Sequence, residues 1–324
     1  MPFAVPGLAV PFEAGMHPAT ETARAATDRW ARRFGLTVRP ELRERLHASA
    51  PARLAGRVCP DATLDGLLFA CDWQAWLFLF DDGYCDESVI GSDPAAITEV
   101  TVWMLGALET GESAPDDVFG RALADLGARL ARLAGPVQWA RFVQAVTAYF
   151  YALVWEATCR QRGTLAPLNE YIRMRRYSGA VSTCLALIEV VNGFELDDRA
   201  WYDPAVRTAA DAVADIICWS NDIVSYRKES HRGALQHAAD GRSGPPRDLL
   251  SLPTVLVHEH GMTEQQALNH CALMLNRRIA DYRAAERPIL ASHDVTLDRF
   301  VADLRHWISG NLAWSYETER YRTP

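Results

Sequence analysis

The segment Leu64–Phe80 limits the fold more than any other stretch of this chain. Its apolar residues at Leu64, Leu67, Leu68, Cys71, Ala75, Phe78 and Leu79 follow the three-to-four rhythm of a core-facing helix. The segment then meets the acidic run Asp81-Asp82-Gly83-Tyr84-Cys85-Asp86-Glu87. Carboxylates therefore emerge at the C-terminal end of a buried helix. The helix macrodipole is itself negative there, by about half an elementary charge, so cations bound at this end would relieve an electrostatic cost.

A second segment repeats the theme. Ala209–Trp219 is apolar enough for a buried helix, and the run that follows, Ser-Asn-Asp-Ile-Val-Ser-Tyr-Arg-Lys-Glu229, places Asn221, Ser225 and Glu229 four residues apart. That spacing puts all three on one face of a helix, one turn apart. An amide oxygen, a hydroxyl and a carboxylate suit Mg²⁺, which takes octahedral oxygen ligands at about 2.0–2.1 Å and keeps positions for water and substrate phosphate. Solvated polar surface would produce either cluster alone. The apolar run before Asn221 and the presence of two clusters favour one inward-facing site.

Helical patterns fill most of the remainder. They are expected over Thr20–Phe34 (closed by Gly35), Asp116–Leu133, Val137–Cys159, Pro253–His260, and from Thr263 with Glu264 and Gln266 in its first turn. No segment alternates as a sheet strand would. The fold class read from this is all-α. The Gly- and Pro-rich stretch 233–246 is expected to break the helix after Glu229 and to form a lid-like connection.

Composition sets the outer limits. A chain of 324 residues, 49% hydrophobic, can bury a large core, and no Gly/Ser- or Pro-rich linker divides its middle. The net charge of -8 argues against a general nucleic-acid binder, which holds phosphate backbones with basic patches. Seven cysteines, at 59, 71, 85, 159, 184, 218 and 271, show no metal-ligand spacing and read as reduced hydrophobes of a cytoplasmic protein. The longest uncharged segment, Phe142–Trp155, falls short of the roughly 20 residues a membrane span needs. The apolar, proline-rich start is read as an extended arm, residues 1–18, ahead of one helical domain over 19–324.

Together, the acidic run and the Asn221/Ser225/Glu229 trio resemble the aspartate-rich motif and the Asn-Ser-Glu triad of bacterial class I terpene synthases. The pattern Asn-Asp-x-x-Ser-x-x-x-Glu fixes four residue types and, at roughly 5% usage each, arises by chance about once in several hundred chains of this length. Other positions match in order: Arg175 resembles the family's diphosphate sensor, Ser178 its linker and Gly179 its effector, Lys228 precedes Glu229, and Arg320-Tyr321 resembles the closing Arg-Tyr pair. One departure stands out. Three residues separate Asp82 from Asp86 where many relatives have two, and Glu87 competes for the role of Asp86.

The resemblance implies a single-domain helical bundle around an apolar cavity, binding three Mg²⁺ ions through Asp81, Asp82, Asp86, Asn221, Ser225 and Glu229. It implies a diphosphate held by Arg175, Lys228, Arg320 and Tyr321, with Arg175, Ser178 and Gly179 as the catalytic trio. Phe78, Trp307 and Trp314 fall where relatives place pocket aromatics; ordinary core packing is the alternative for each. The expected reaction is cyclisation of farnesyl diphosphate to a sesquiterpene, with geranylgeranyl diphosphate as the second substrate. A chain-elongating prenyltransferase would carry a second Asp-Asp-rich motif where this chain has Asn-Ser-Glu, and a non-catalytic lipid-binding relative would not need the whole set. The partners expected are an isoprenyl diphosphate and, in a homodimer, a second copy, with no nucleic acid and no membrane span.

Overall fold

The computed structural model describes residues 3–85, 89–239 and 250–321, with side chains at 85, 89 and 232–239 left aside. Every regular element among them is a helix. In chain order these are α1 (Thr20–Phe34), α2 (Pro40–Ser49), α3 (Pro51–Val58), α4 (Leu64–Phe80), α5 (Pro94–Thr110), α6 (Val118–Leu133), α7 (Pro136–Arg162), α8 (Leu168–Ser178), α9 (Val181–Leu185), α10 (Ile188–Asn192), α11 (Asp198–Trp201), α12 (Pro204–Ala239), α13 (Leu252–His260), α14 (Glu264–Leu290) and α15 (Val295–Glu317). A π-type turn at Asp81–Cys85 continues α4, and a short 3₁₀ turn spans Val89–Ser92.

The helix α4 is more central than its apolar rhythm predicts. It packs against α1, α2, α3, α6 and α10, and is buried on nearly all sides; Trp73, Trp76, Phe69 and Phe80 are fully enclosed. Leu64, counted in the core-facing set, is instead exposed at the first turn. Each large apolar side chain so buried contributes about 1.5–3 kcal/mol. Polar groups on this helix find partners inside: the Asp72 carboxylate accepts from Thr27 Oγ and Arg129 Nη1, both at 2.6 Å. The Trp73 indole donates to Thr183 (3.2 Å) and Trp76 to the Phe119 carbonyl (3.1 Å). At its start, Thr63 caps the helix by accepting from Gly66 N–H at 3.0 Å.

Several boundaries differ from expectation. The helix α6 begins at Val118 because Asp117 caps it, its side chain accepting from Gly120 N–H. The helix α7 extends from Pro136 to Arg162, Pro136 occupying the first-turn position that tolerates proline. The largest difference is α12, whose backbone runs helically through Gly233 to Ala239 instead of breaking there. A glycine costs a helix only about 1 kcal/mol, and α12 packs against α14, α15, α8, α9 and α13. Downstream, Thr263 and Gln266 form the capping box that opens α14.

Residues 3–17 form no helix, and they are pinned to the bundle. Phe3, Val5, Leu8, Val10 and Phe12 pack partly buried against the core. The Ala4 N–H donates to Gln265 Oε1 (2.7 Å), Leu8 N–H to the Tyr316 hydroxyl (2.8 Å), and Ser309 Oγ to the Glu13 carbonyl (3.0 Å). No helix among the described residues is long and apolar enough to cross a membrane.

Candidate active site

The C-terminal pair Arg320-Tyr321 joins the two motifs that the sequence keeps far apart. The Arg320 guanidinium forks onto Asp82, Nη1 to Oδ2 at 2.9 Å and Nη2 to Oδ1 at 3.0 Å, and its Nη2 lies 3.9 Å from Asp81 Oδ2. On the triad side, Asn221 Nδ2 donates to the Tyr321 hydroxyl at 2.6 Å, and Lys228 Nζ donates to the Arg320 carbonyl. Asp81, Asp82, Asn221, Lys228, Arg320 and Tyr321 therefore share one end of the bundle. Burial works against the Arg320 charge, yet the neighbouring Asp82 outweighs it and raises the guanidinium pKa. Burial also pushes the Tyr321 phenol up to about 12, with Glu229 adding to the rise and Arg320, Arg175 and the Asn221 hydrogen bond opposing it. That influence places Glu229 electrostatically in the same cluster.

Within the triad, Ser225 is fully buried and its Oγ donates to the Asn221 carbonyl at 2.8 Å. Its oxygen lone pairs remain as acceptors. The Asn221 Oδ1 accepts from Arg175 Nη2 at 2.9 Å and has a second lone pair. Among the described residues no three His, Cys, Asp or Glu side chains gather to hold a metal. The donors present are carboxylate, amide and hydroxyl oxygens, and that set fits Mg²⁺. Asp86 and its competitor Glu87 lie outside the described residues.

Arg175 is positioned from behind. Its Nε and Nη2 donate to Asp222 Oδ1 at 3.0 and 2.9 Å. Burial again opposes the charge, and Asp222 more than restores it, so the guanidinium pKa stands well above its ordinary value. Arg176, the next residue, turns away from this cluster and pairs with Asp211 and Asp215. The helix α8 ends at Ser178, whose buried Oγ has no hydrogen-bond partner among the described residues. Gly179 keeps an ordinary φ of -73°, and the left-handed turn falls on Ala180, at φ 56°. Glycine is needed at 179 for closeness: a Cβ there would stand 2.8 Å from Cys218 Sγ and 3.3 Å from Arg175 Nη1.

The aromatic residues divide into two levels. Phe78 stacks on Trp314 with ring centroids 5.5 Å apart, Trp314 meets Tyr321 edge-on at 5.6 Å, and the Arg320 guanidinium lies 5.0 Å from the Phe78 ring centre. These two rings adjoin the charged cluster. Trp307 lies two turns earlier on α15 and bounds a tight, mostly apolar cavity with Cys59, Trp73, Gln74, Cys184 and Leu187.

Three neighbours of the site carried no recognised signal in the sequence. Asp222 stands inside the Asn-Asp-x-x-Ser pattern, beside Asn221, and nothing local in the sequence marks its partners. Tyr171 donates its hydroxyl to Asp222 from one turn before Arg175. Arg45 donates to the Asp82 carbonyl at 3.2 Å from α2, and nothing in its local sequence marks it.

Residues 72–281 match the family described as terpene synthase family 2, C-terminal metal binding. The chain is 31% identical over 321 residues to (+)-(1(10)E,4E,6S,7R)-germacradien-6-ol synthase of Streptomyces pratensis, covering 99% of this chain and 87% of that protein. It is 34% identical over 319 residues to the (2E,6E)-farnesyl diphosphate-cyclizing (+)-T-muurolol synthase of Roseiflexus castenholzii, covering 97% and 93%. Among solved structures, the ancestrally reconstructed SVS_A2 protein superposes with a TM-score of 0.86 at 26% identity, over 97% of this chain and 90% of that one.

Proposed function

Because this chain belongs to terpene synthase family 2 and is a bacterial class I terpene synthase, we propose that it ionises farnesyl diphosphate and cyclises the hydrocarbon to a sesquiterpene. The reaction breaks the carbon–oxygen bond to diphosphate, which makes the enzyme a carbon–oxygen lyase acting on phosphates. The observation that carries this reading is the junction at residues 320–321, which ties the Asp81/Asp82 turn to the Asn221 helix.

Asp81, Asp82, Asn221, Ser225 and Glu229 would hold Mg²⁺, which when bound compensates charge developing on the departing diphosphate. Arg175, Lys228, Arg320 and Tyr321 supply fixed donors for the same oxygens, and fixed donors stabilise a leaving group without reorganising. In the structure Arg320 and Arg175 rest on Asp82, Asp222 and Asn221. Diphosphate would give these cations a competing anion. The allylic cation left behind reacts with any nearby water, so the space that receives it must be dry. Phe78 and Trp314 beside the charged cluster, and Trp307 two turns earlier on α15, would offer aromatic faces, each able to stabilise a cation by about 0.5–2 kcal/mol.

The farnesyl length is supported by the substrate named for the T-muurolol synthase relative, with geranylgeranyl diphosphate as the second reading. Incubation of the protein with each diphosphate and Mg²⁺, followed by gas chromatography of the extract, decides between them. A cyclic fifteen-carbon hydrocarbon or alcohol is expected, absent when EDTA is added. Only twenty-carbon products, or elongated prenyl diphosphates, would overturn the assignment.

A further inference from the structure

Asp222, on α12, is saturated with donors from two other helices. Its Oδ1 accepts from Arg175 Nε and Nη2, at 3.0 and 2.9 Å, on α8. Its Oδ2 accepts from the Tyr171 hydroxyl, also on α8, and from the Leu252 N–H at 3.1 Å, at the first residue of α13. A carboxylate offers about four lone-pair sites, and all four are used. The side chain is almost fully enclosed, at 1% exposure, and Tyr171 is fully buried. Removing one member of so closed a network strands the others without water to replace it.

The pattern on the arginine is directional. Asp222 and Asn221 occupy Nε and Nη2, one edge of the guanidinium plane. Nη1 makes no hydrogen bond among the described residues and lies toward Gly179, whose hypothetical Cβ would be 3.3 Å from it. A planar guanidinium gripped along one edge has the direction of its other donors fixed. Asn221, through the neighbouring position on α12, receives the same Nη2 and passes its own amide on to Tyr321. Orienting Arg175 therefore also orients a triad residue.

We infer that Asp222 is a positioning residue for ionisation: it holds Arg175 by its Nε/Nη2 edge so that Nη1 faces the departing diphosphate, and ties that orientation to the start of α13. The inference rests on the reading of Arg175 as a diphosphate-binding group. Asp222 itself touches no substrate atom and acts through Arg175 alone. Its loss should slow carbon–oxygen cleavage and leave the course of cyclisation unchanged, because the hydrocarbon lies against other residues.

The test is a double-mutant cycle on single-turnover diphosphate release, with farnesyl diphosphate, Mg²⁺ and excess enzyme so that slow variants can be read. Asp222→Asn, which keeps the side-chain shape, is expected to slow release about 100-fold, the loss typical of misplacing a catalytic group by about 1 Å. Product ratios should stay at those of the parent. In an Arg175→Ala background the same substitution should change the rate less than about threefold, because the residue it acts through is gone. Tyr171→Phe removes one donor while keeping the ring, so it stays informative if Asp222→Asn fails to fold. Its expected loss is about tenfold in the parent and negligible with Arg175→Ala. Equal losses in both backgrounds, an unslowed Asp222→Asn, or altered product ratios would each overturn the inference while the parent enzyme still released diphosphate. A parent that released none would overturn the proposed function and this inference with it.

Discussion

Burial without adequate compensation singles out Asp303, on α15 one turn before Trp307. It is 5% exposed, and desolvation, with the nearby Asp61 charge adding to it, raises its pKa from the usual carboxylate range to about 7 despite Arg299. The linkage has a definite sign. Between about pH 4 and 7 the unfolded chain releases this proton while the folded one keeps it, so stability falls as pH rises through that window and levels off above it. The full effect is on the order of 4 kcal/mol. Asp303→Asn removes the titration, so urea unfolding of both proteins at pH 5 and pH 8 should show the variant gaining relative stability at the higher pH. A constant difference at the two pH values would place the charge of Asp303 elsewhere. In sequence, an arginine on a short helix and a tyrosine on an amphipathic one look alike whether they face water or a buried acceptor. Only the fold brings Arg45 to the Asp82 carbonyl.

Among the elements, α4 and α5 make opposite uses of glycine. On α4, Gly66 lies against α10, and a Cβ there would stand 2.1 Å from the Val191 carbonyl oxygen and 2.6 Å from its Cα. These are backbone atoms of a neighbouring helix and cannot step aside without moving α10. On α5, Gly106 has no atom within 4 Å of a Cβ position, and its freedom only costs helix stability. Gly66→Ala should therefore destabilise by at least about 1–3 kcal/mol through overpacking, and Gly106→Ala should stabilise by about 0.5–1 kcal/mol. Denaturant midpoints of the two variants should move in opposite directions, and movement in the same direction would contradict the helix contacts described. The π-type turn after α4 is a further property of the element. Such turns widen a helix by one residue and recur at functional sites. Here the turn begins at Asp81, the first residue of the acidic run. The longer spacing between Asp82 and Asp86 was visible in the sequence; the wider turn through that region was not, because an extra residue can equally be absorbed in a loop.

Over the whole molecule, the site is assembled from α4, α8, α12 and the residues after α15, and its charges neutralise one another across those elements. A ligand that binds only the assembled arrangement should stabilise all of it. Inorganic diphosphate with Mg²⁺ at 100 times the dissociation constant adds about 2.7 kcal/mol, which for a domain of this size raises the melting temperature by several degrees. Either component alone should do much less, because the arginines and the oxygen ligands each lack the other half of the complex. A melting curve unmoved by the pair would remove the diphosphate site from consideration.

The sequence by itself determined the helical class, through three-to-four periodicity and the lack of alternation. It also determined that the acidic run from Asp81 follows a buried helix, and that Asn221, Ser225 and Glu229 share one face, because residues four apart on a helix must lie together. Helix ends were legible where a cap is local, as at Gly35 and Thr263. They were missed at α12, whose backbone stays helical through Gly233, a residue that costs a helix only about 1 kcal/mol. What only the tertiary structure decided is which charge meets which. The pairing of Arg320 with Asp82, the grip of Asp222 on Arg175, and the separation of Trp307 from Phe78 and Trp314 join residues distant in the chain. No local propensity encodes such contacts: they follow from the way helices pack, and their strength from the burial that packing creates.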